Sequence, residues 1–244
     1  DGGGIMSTDI TLQTLEEKLR EMTTARVGIG RSGGGWTTKA TLSFALDHAR
    51  AREAVWSGMN LPALQSAFAK WPLSTVSSAA HDRATYVRRP DLGRVLAPGE
   101  DLSSLPKGKI VIVVADGLSA TAVNKNAVSV VSGLQDLLSE PAPIVLVERG
   151  RVAIGDDIGA ATEARAVVML IGERPGLSSA DSLGAYITWE PKPGLPDSRR
   201  NCISNIREGG LSPAYAAERI VLLLKQMEQM RISGVALDSN ALTA

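Results

Sequence analysis

A chain of 244 residues with 44% hydrophobic composition can bury one sizeable core, or a main core with a smaller companion. Its 26 basic and 26 acidic residues cancel, so no global field draws it to nucleic acid or to an anionic membrane. A single cysteine, Cys202, and two distant histidines, His48 and His81, exclude an intrachain disulfide and a Cys/His zinc cluster.

Cysteine usage of this kind suits a reducing, cytoplasmic compartment. No apolar run approaches the about 20 residues of a membrane span, and no secretory signal is legible. Residues 1–5, with three consecutive glycines, read as a scar of expression ahead of Met6. Leu12, Leu15, Leu19 and Met22 recur at helical spacing and predict an amphipathic helix over 9–24. A glycine-rich stretch follows, Gly28 to Gly35, and then a helical pattern from Thr38 to Trp56. Residues 57–106 read as short helical pieces broken by Pro62, Pro72, Pro90 and Pro98.

The pattern changes at Lys109. Ile110–Ala115 is a continuous β-branched run, as expected for a strand buried on both faces. Ser119 is placed to cap a long helix from Ala120 to Leu138. A strand over Pro143–Val147 follows, then a short strand-like piece, Arg151–Ile154, and a short helix, Ile158–Ala164. Ala166–Ile171 is a third strong strand, Ala185–Trp189 a weaker one, and 201–206 a β-like run. The last helix runs from Pro213 to Arg231 behind the cap Ser212. Strands alternating with helices predict an α/β fold: a Rossmann-like parallel sheet over 107–244, with a smaller, mainly helical N-terminal region over 6–106.

In such a sheet ligands bind beyond the carboxyl ends of the strands. Asp116-Gly117-Leu118-Ser119 and Gly172-Glu173-Arg174-Pro175-Gly176 sit there, with 201–205 as a third contributor. A cap for Ser119 and a solvated loop for Glu173-Arg174 are the bland alternatives. Gly28-x-Gly30-x-x-Gly33 matches the dinucleotide fingerprint literally. It lacks a good strand before it, and the acids about 20 residues on, Asp47 and Glu53, fall inside a helix. Cys202 has no histidine near in sequence to make a thiolate, which favours a small apolar filler over a nucleophile. Asp156-Asp157 reads as a helix cap rather than a metal-binding pair, and Arg199-Arg200, like Lys107/Lys109 and Arg88-Arg89, as a solvated basic cluster, with anion binding the minor alternative.

Several segments resemble the light chain of ethanolamine ammonia-lyase. They are Gly30-Arg31-Ser32-Gly33, Asp47-His48-Ala49, Arg89-Pro90-Asp91-Leu92-Gly93-Arg94 and Asp116-Gly117-Leu118-Ser119. More distinctive are Gly172-Glu173-Arg174-Pro175-Gly176-Leu177 with Ser182-Leu183, and Cys202-Ile203-Ser204-Asn205-Ile206; Ser233-Gly234-Val235 closes the set. The resemblance is collinear over 25–235 and departs at Gly34–Thr37, where relatives carry further arginine and proline. It implies a small subunit of an adenosylcobalamin-dependent lyase that turns ethanolamine into acetaldehyde and ammonia by radical chemistry. It also implies a large TIM-barrel subunit holding the substrate, in a hetero-oligomer of six large and six small chains, with packaging in a bacterial microcompartment left open. Cofactor contacts carry over to Val152, Glu173 and Cys202, with Asp116 and Ser119 shaping the same rim. The Asp-x-His-x-x-Gly pattern by which a protein histidine replaces the cofactor's lower base is absent, so the cofactor is expected to keep its own base. Two rival readings stand beside this one: a nucleotide-binding α/β enzyme using the Gly28–Gly33 loop, and a non-catalytic scaffold.

Overall fold

A computed structural model describes residues 29–237, together with Leu15, 17–19, 21–23 and 27. The helix expected over 9–24 and Gly28 of the glycine-rich stretch therefore lie wholly or largely outside the described residues. Gly30 and Gly33, at positive φ, shape a small hairpin of β1 (Arg31–Ser32) and β2 (Gly35–Trp36). A dinucleotide turn needs a strand leading directly into a helix; a hairpin separate from the main sheet does not provide that arrangement.

Thr37 caps α1 (Thr38–Trp56), its hydroxyl accepting from the Ala40 N–H at 3.3 Å. Asn60 caps α2 (Leu61–Phe68), where Pro62 sits harmlessly in the first turn because that N–H has no helical partner to lose. Next come β3 (Leu73–Ser77), α3 (Arg83–Arg88), β4 (Ile110–Ala115), α4 (Ala120–Leu137) and β5 (Ile144–Glu148). The chain ends with α5 (Ile154–Ala161), β6 (Ala166–Gly172), β7 (Leu183–Trp189), β8 (Arg200–Ile206) and α6 (Pro213–Met230). Ser119 and Ser212 cap α4 and α6 as expected, bonding the N–H of Ala122 and Tyr215.

The six-stranded sheet has the order β3-β5-β4-β6-β7-β8. It is mixed, which corrects the expectation of a parallel sheet: β3, β5, β4 and β6 run parallel, whereas β7 is antiparallel to both β6 and β8. The physical reason is the connection. Only the loop 173–182 joins β6 to β7, and it holds no crossover helix, so the chain must turn back on itself. The edge strand β3 comes from the stretch before residue 107, so the sheet draws on both sides of that boundary. Arg151–Ile154 is a turn entering α5 rather than a strand, and the helix begins at Ile154, four residues earlier than expected.

Alternation along the strands sorts the core into two faces. Ile112, Val114, Ile144, Leu146, Val168 and Leu170 meet α2, α4 and α6 on one side. Val111, Val113, Val145, Val147, Val167 and Met169 meet α5 and the Leu102–Leu105 segment on the other. Each fully buried aliphatic side chain of this kind contributes about 1.5–3 kcal/mol. On the second face α5 covers β6, so Tyr186 of β7 and Cys202 of β8 stay open.

The carboxyl ends of β4 and β6 approach closely enough to need glycine on both sides. Gly117 has φ +56°, and its neighbour Leu118 donates its N–H to the Gly172 carbonyl at 2.9 Å. A Cβ on Gly172 would overlap the Ser119 and Asp116 carbonyls, and one on Gly117 would overlap Gly172 itself. Both obstacles are backbone, which cannot swing aside. Gly172→Ala is expected to cost about 1–3 kcal/mol or more by forcing the two strand ends apart, read as a lower urea midpoint at unchanged slope.

Candidate functional site

An open cleft of about 660 Å³ lies where the carboxyl ends of the parallel strands meet the uncovered face of β7 and β8. Its lining comes from five places, one of them Gly117 and Leu118 after β4. The loop after β5 gives Arg151, Val152 and Ala153; the end of β6 and its loop give Ile171, Glu173 and Arg174. Tyr186, Arg200 and Cys202 form the floor, with Tyr86 and Arg94 from the segment between β3 and β4 at one side. Val152, Glu173 and Cys202, far apart in sequence, thus come to one cleft. Cys202 is not at the rim, however. It sits within β8 opposite Tyr186, on the face that α5 leaves bare.

Glu173 is half-buried and held from three directions. Its carboxylate accepts hydrogen bonds from the Ser182 hydroxyl, from the Ser204 hydroxyl at 2.6 Å and from the Asn205 N–H at 3.3 Å. The backbone is fixed as well, the Glu173 N–H donating to the Ser182 carbonyl at 3.0 Å. A carboxylate offers about four lone-pair sites, so one acceptor position remains for a ligand. Gly184 makes room for this arrangement: a Cβ there would lie 2.9 Å from Glu173 Oε1 and 3.1 Å from its Cγ. Gly184→Ala is therefore expected to displace the Glu173 side chain and weaken ligand binding several-fold. Circular dichroism and the urea midpoint should change little, because the obstacle is a flexible side chain.

Burial pushes the Cys202 thiol pKa up, the Tyr186 hydrogen bond opposes this, and the Glu173 charge adds to it; the net shift is upward. Tyr186 is itself raised to about 12 by burial, with Cys202 and Glu173 contributing. A thiol held neutral in this way does not suit a nucleophile.

Asp116 and Ser119, expected at the rim, lie behind the wall. Ser119 is fully buried, caps α4 and donates its hydroxyl to the Ala180 carbonyl at 2.6 Å. Asp116 is 5% exposed; it accepts from the Gly150 N–H at 3.1 Å and pairs with Arg83 at 3.1 Å. Arg83 stacks on Tyr86, with its guanidinium carbon 4.7 Å from the ring centroid, while Arg151 also packs on that ring, at 4.6 Å. The Tyr86 hydroxyl donates to the Gly150 carbonyl at 3.0 Å. Asp116 therefore braces the wall without facing the cleft.

Two expectations about charged pairs are corrected. Asp156 does not cap α5 but sits within its first turn, where Arg200 grips it at 2.7 and 2.8 Å, both side chains 3% exposed. Arg200 is thus a buried ion-pair partner and not part of a solvated cluster. Asp157 accepts from the Leu96 N–H at 3.1 Å. Tyr86, Arg94, Arg151, Tyr186 and Arg200 are cleft residues that the sequence reading did not select. Of these, Arg94 lay inside a quoted motif and Arg200 inside the Arg199-Arg200 basic cluster, and none carries a local signal that separates it from an ordinary surface residue. Among the described residues no group of three His, Cys, Asp or Glu is disposed to hold a metal ion, and no helix is long and apolar enough to cross a membrane.

A family model described as the ethanolamine ammonia-lyase light chain (EutC) matches residues 13–238. The chain is 46% identical over 242 residues to the ethanolamine ammonia-lyase small subunit of Rhodopseudomonas palustris (strain BisA53), covering 95% of this chain and 92% of that one. It is 46% identical over 237 residues to the small subunit of Pseudomonas fluorescens (strain Pf0-1), covering 92% and 86%. To that of Bradyrhizobium diazoefficiens it is 47% identical over 230 residues, covering 90% and 88%.

Proposed function

The chain belongs to the ethanolamine ammonia-lyase light-chain family, and on that premise we propose that it supplies one wall of an adenosylcobalamin site to a larger, catalytic subunit. The observation that carries the reading is the meeting of Val152, Glu173 and Cys202, the three positions the resemblance marks, on a single cleft. The cleft suits part of a large cofactor and not the whole. It is open on one side, and its volume lies in the range that holds a drug-sized ligand, well short of a complete corrinoid. Its lining also suits the group. Val152, Ile171 and Tyr186 offer apolar surface for a macrocycle, while Glu173 keeps an acceptor for an amide N–H at its edge.

When bound, the cofactor supplies the radical that starts the conversion of ethanolamine to acetaldehyde and ammonia. This chain's residues bind and orient. Val152 gives apolar and backbone contact, Glu173 accepts from an amide, and Cys202 contributes a neutral thiol beside Tyr186. Neither His48 nor His81 lines the cleft, so neither would take part in holding the cofactor there. The substrate pocket is assigned to the TIM barrel of the large subunit, in an assembly of six large and six small chains.

The test is co-production with a large subunit of the same family. Acetaldehyde release should require both chains, adenosylcobalamin and ethanolamine together, with the visible spectrum of the cofactor retained on the purified complex. Glu173→Ala is expected to weaken cobalamin affinity about tenfold to a hundredfold, the effect of losing one hydrogen bond to a charged group. A chain that only braced its partner would leave that affinity unchanged.

A further inference from the structure

We propose that Arg94, Arg151 and Arg174 form a phosphate-binding subsite of the cleft. On the cofactor reading above, it takes the phosphodiester of the cofactor's nucleotide tail. The proposal rests on that reading for its ligand, and on the cleft's own charges for its chemistry.

The cationic groups around the cleft divide into two sets. Arg83 and Arg200 each reach a carboxylate, Asp116 and Asp156. Among the described residues no carboxylate lies within 4.0 Å of the guanidinium of Arg94, Arg151 or Arg174, although all three line the cleft. The acidic groups there are already engaged. Glu173 is held by Ser182, Ser204 and Asn205, and Asp197 contacts Arg200 at 3.4 Å. What remains is three guanidinium charges around the cleft against the single carboxylate of Glu173, whose hydrogen-bond partners are neutral.

Arg151 is also fixed in place, which a side chain merely facing water would not require. Its backbone N–H donates to the Gly93 carbonyl at 2.7 Å, its Nη2 to the Tyr86 carbonyl at 3.2 Å, and its plane packs on the Tyr86 ring. Gly93 permits that packing, since a Cβ there would stand 2.9 Å from Arg151 Cγ. Within this clamp the Arg151 Nε is buried with no hydrogen-bond partner. The buried Nε is out of a ligand's reach, so an anion would meet this guanidinium through its Nη groups. The next two residues add donors. The N–H groups of Val152 and Ala153 meet no acceptor among the described residues, and Ala153 begins α5 without a side-chain cap. A planar guanidinium matches an oxyanion with several acceptor oxygens, and three of them around one cleft suit a phosphate better than a neutral amide.

The experiment compares two corrinoids on the purified two-subunit complex: adenosylcobalamin, and adenosylcobinamide, which lacks the nucleotide tail and its phosphodiester. Arg94→Gln, Arg151→Gln and Arg174→Gln are each expected to weaken cobalamin binding about tenfold or more. Cobinamide affinity should move less than about twofold, because the subsite would then face nothing. Equal losses for both corrinoids, or no loss for either, would overturn the proposal. Arg174 is exposed, so its variant keeps the test meaningful if Arg151→Gln fails to fold. If the wild-type complex takes up no cobalamin, the cofactor reading fails and the subsite is judged separately, by titrating inorganic phosphate into the full chain. Saturable shifts of the Val152 and Ala153 amide resonances, abolished by Arg174→Gln, would then support it. Unmoved resonances at millimolar phosphate would refute it.

Discussion

Replacing Arg200 with leucine is expected to cost about 3–5 kcal/mol, because it leaves Asp156 buried without its counter-charge. Both side chains are 3% exposed, and the pair is bidentate, at 2.7 and 2.8 Å. Burial by itself would lower the Arg200 pKa. The Asp156 hydrogen bonds and charge, with Asp197 assisting, outweigh burial and raise it, so the guanidinium stays charged at any working pH. For a chain of this size the loss corresponds to a fall in Tm of roughly 10 °C. The decisive comparison is a double variant with apolar residues at both 156 and 200. A buried pair replaced entirely is often neutral, whereas a half-pair is not. If the single and double variants fall equally, the ion pair is not the cause. Cofactor affinity should drop with the single change as well. Asp156 lies in the first turn of α5, so the pair ties β8 to the helix whose start carries Val152 and Ala153.

The second large effect is expected at Asp116. Burial raises its carboxyl to about 6, against the pull of Arg83 and of the Gly150 N–H. The charged groups facing it are Arg83 from α3 and Arg149 after β5, with Tyr86 nearby on α3. A native pKa above the unfolded value of about 3.9 means that the folded state binds the proton more tightly. On this group's account, stability is full below about pH 4 and declines as pH rises through about 6, by roughly 3 kcal/mol in all. Asp116→Asn keeps an acceptor for Gly150 and should flatten that part of the stability profile between pH 4 and 6. Asp116→Ala at neutral pH removes the partner of Arg83, whose side chain is 14% exposed. It is expected to cost about 3–5 kcal/mol and to loosen the Tyr86–Arg151 wall. Denaturant melts across that pH range measure both. An unchanged slope in the Asn variant would show that other groups set the profile.

Much of the secondary structure was legible because its signals are local. The run Ile110–Ala115 and the serines at 119 and 212 announce a strand and two helix starts within a few residues of themselves. Leu73–Ser77 escaped notice because Leu-Ser-Thr-Val-Ser is short and half polar, as an edge strand allows. Arg151–Ile154 misled because β-branched residues also fit a turn leading into a helix. The pairing of Arg200 with Asp156 spans 44 residues and leaves no mark on either segment.

By itself the sequence determined the α/β character, the main strands and helix caps, and, through resemblance, the family and the three candidate contacts. These follow from propensity, periodicity and capping, which act over one or two turns of chain, and from motifs read in order. Only the tertiary structure decided that the last two strands turn back antiparallel and that α5 stops short of covering them. The same packing brought Arg94, Arg151 and Arg174 to one cleft with Glu173 and Cys202. Such choices arise from contacts between residues far apart in the chain, where burial and charge are settled by what happens to lie opposite.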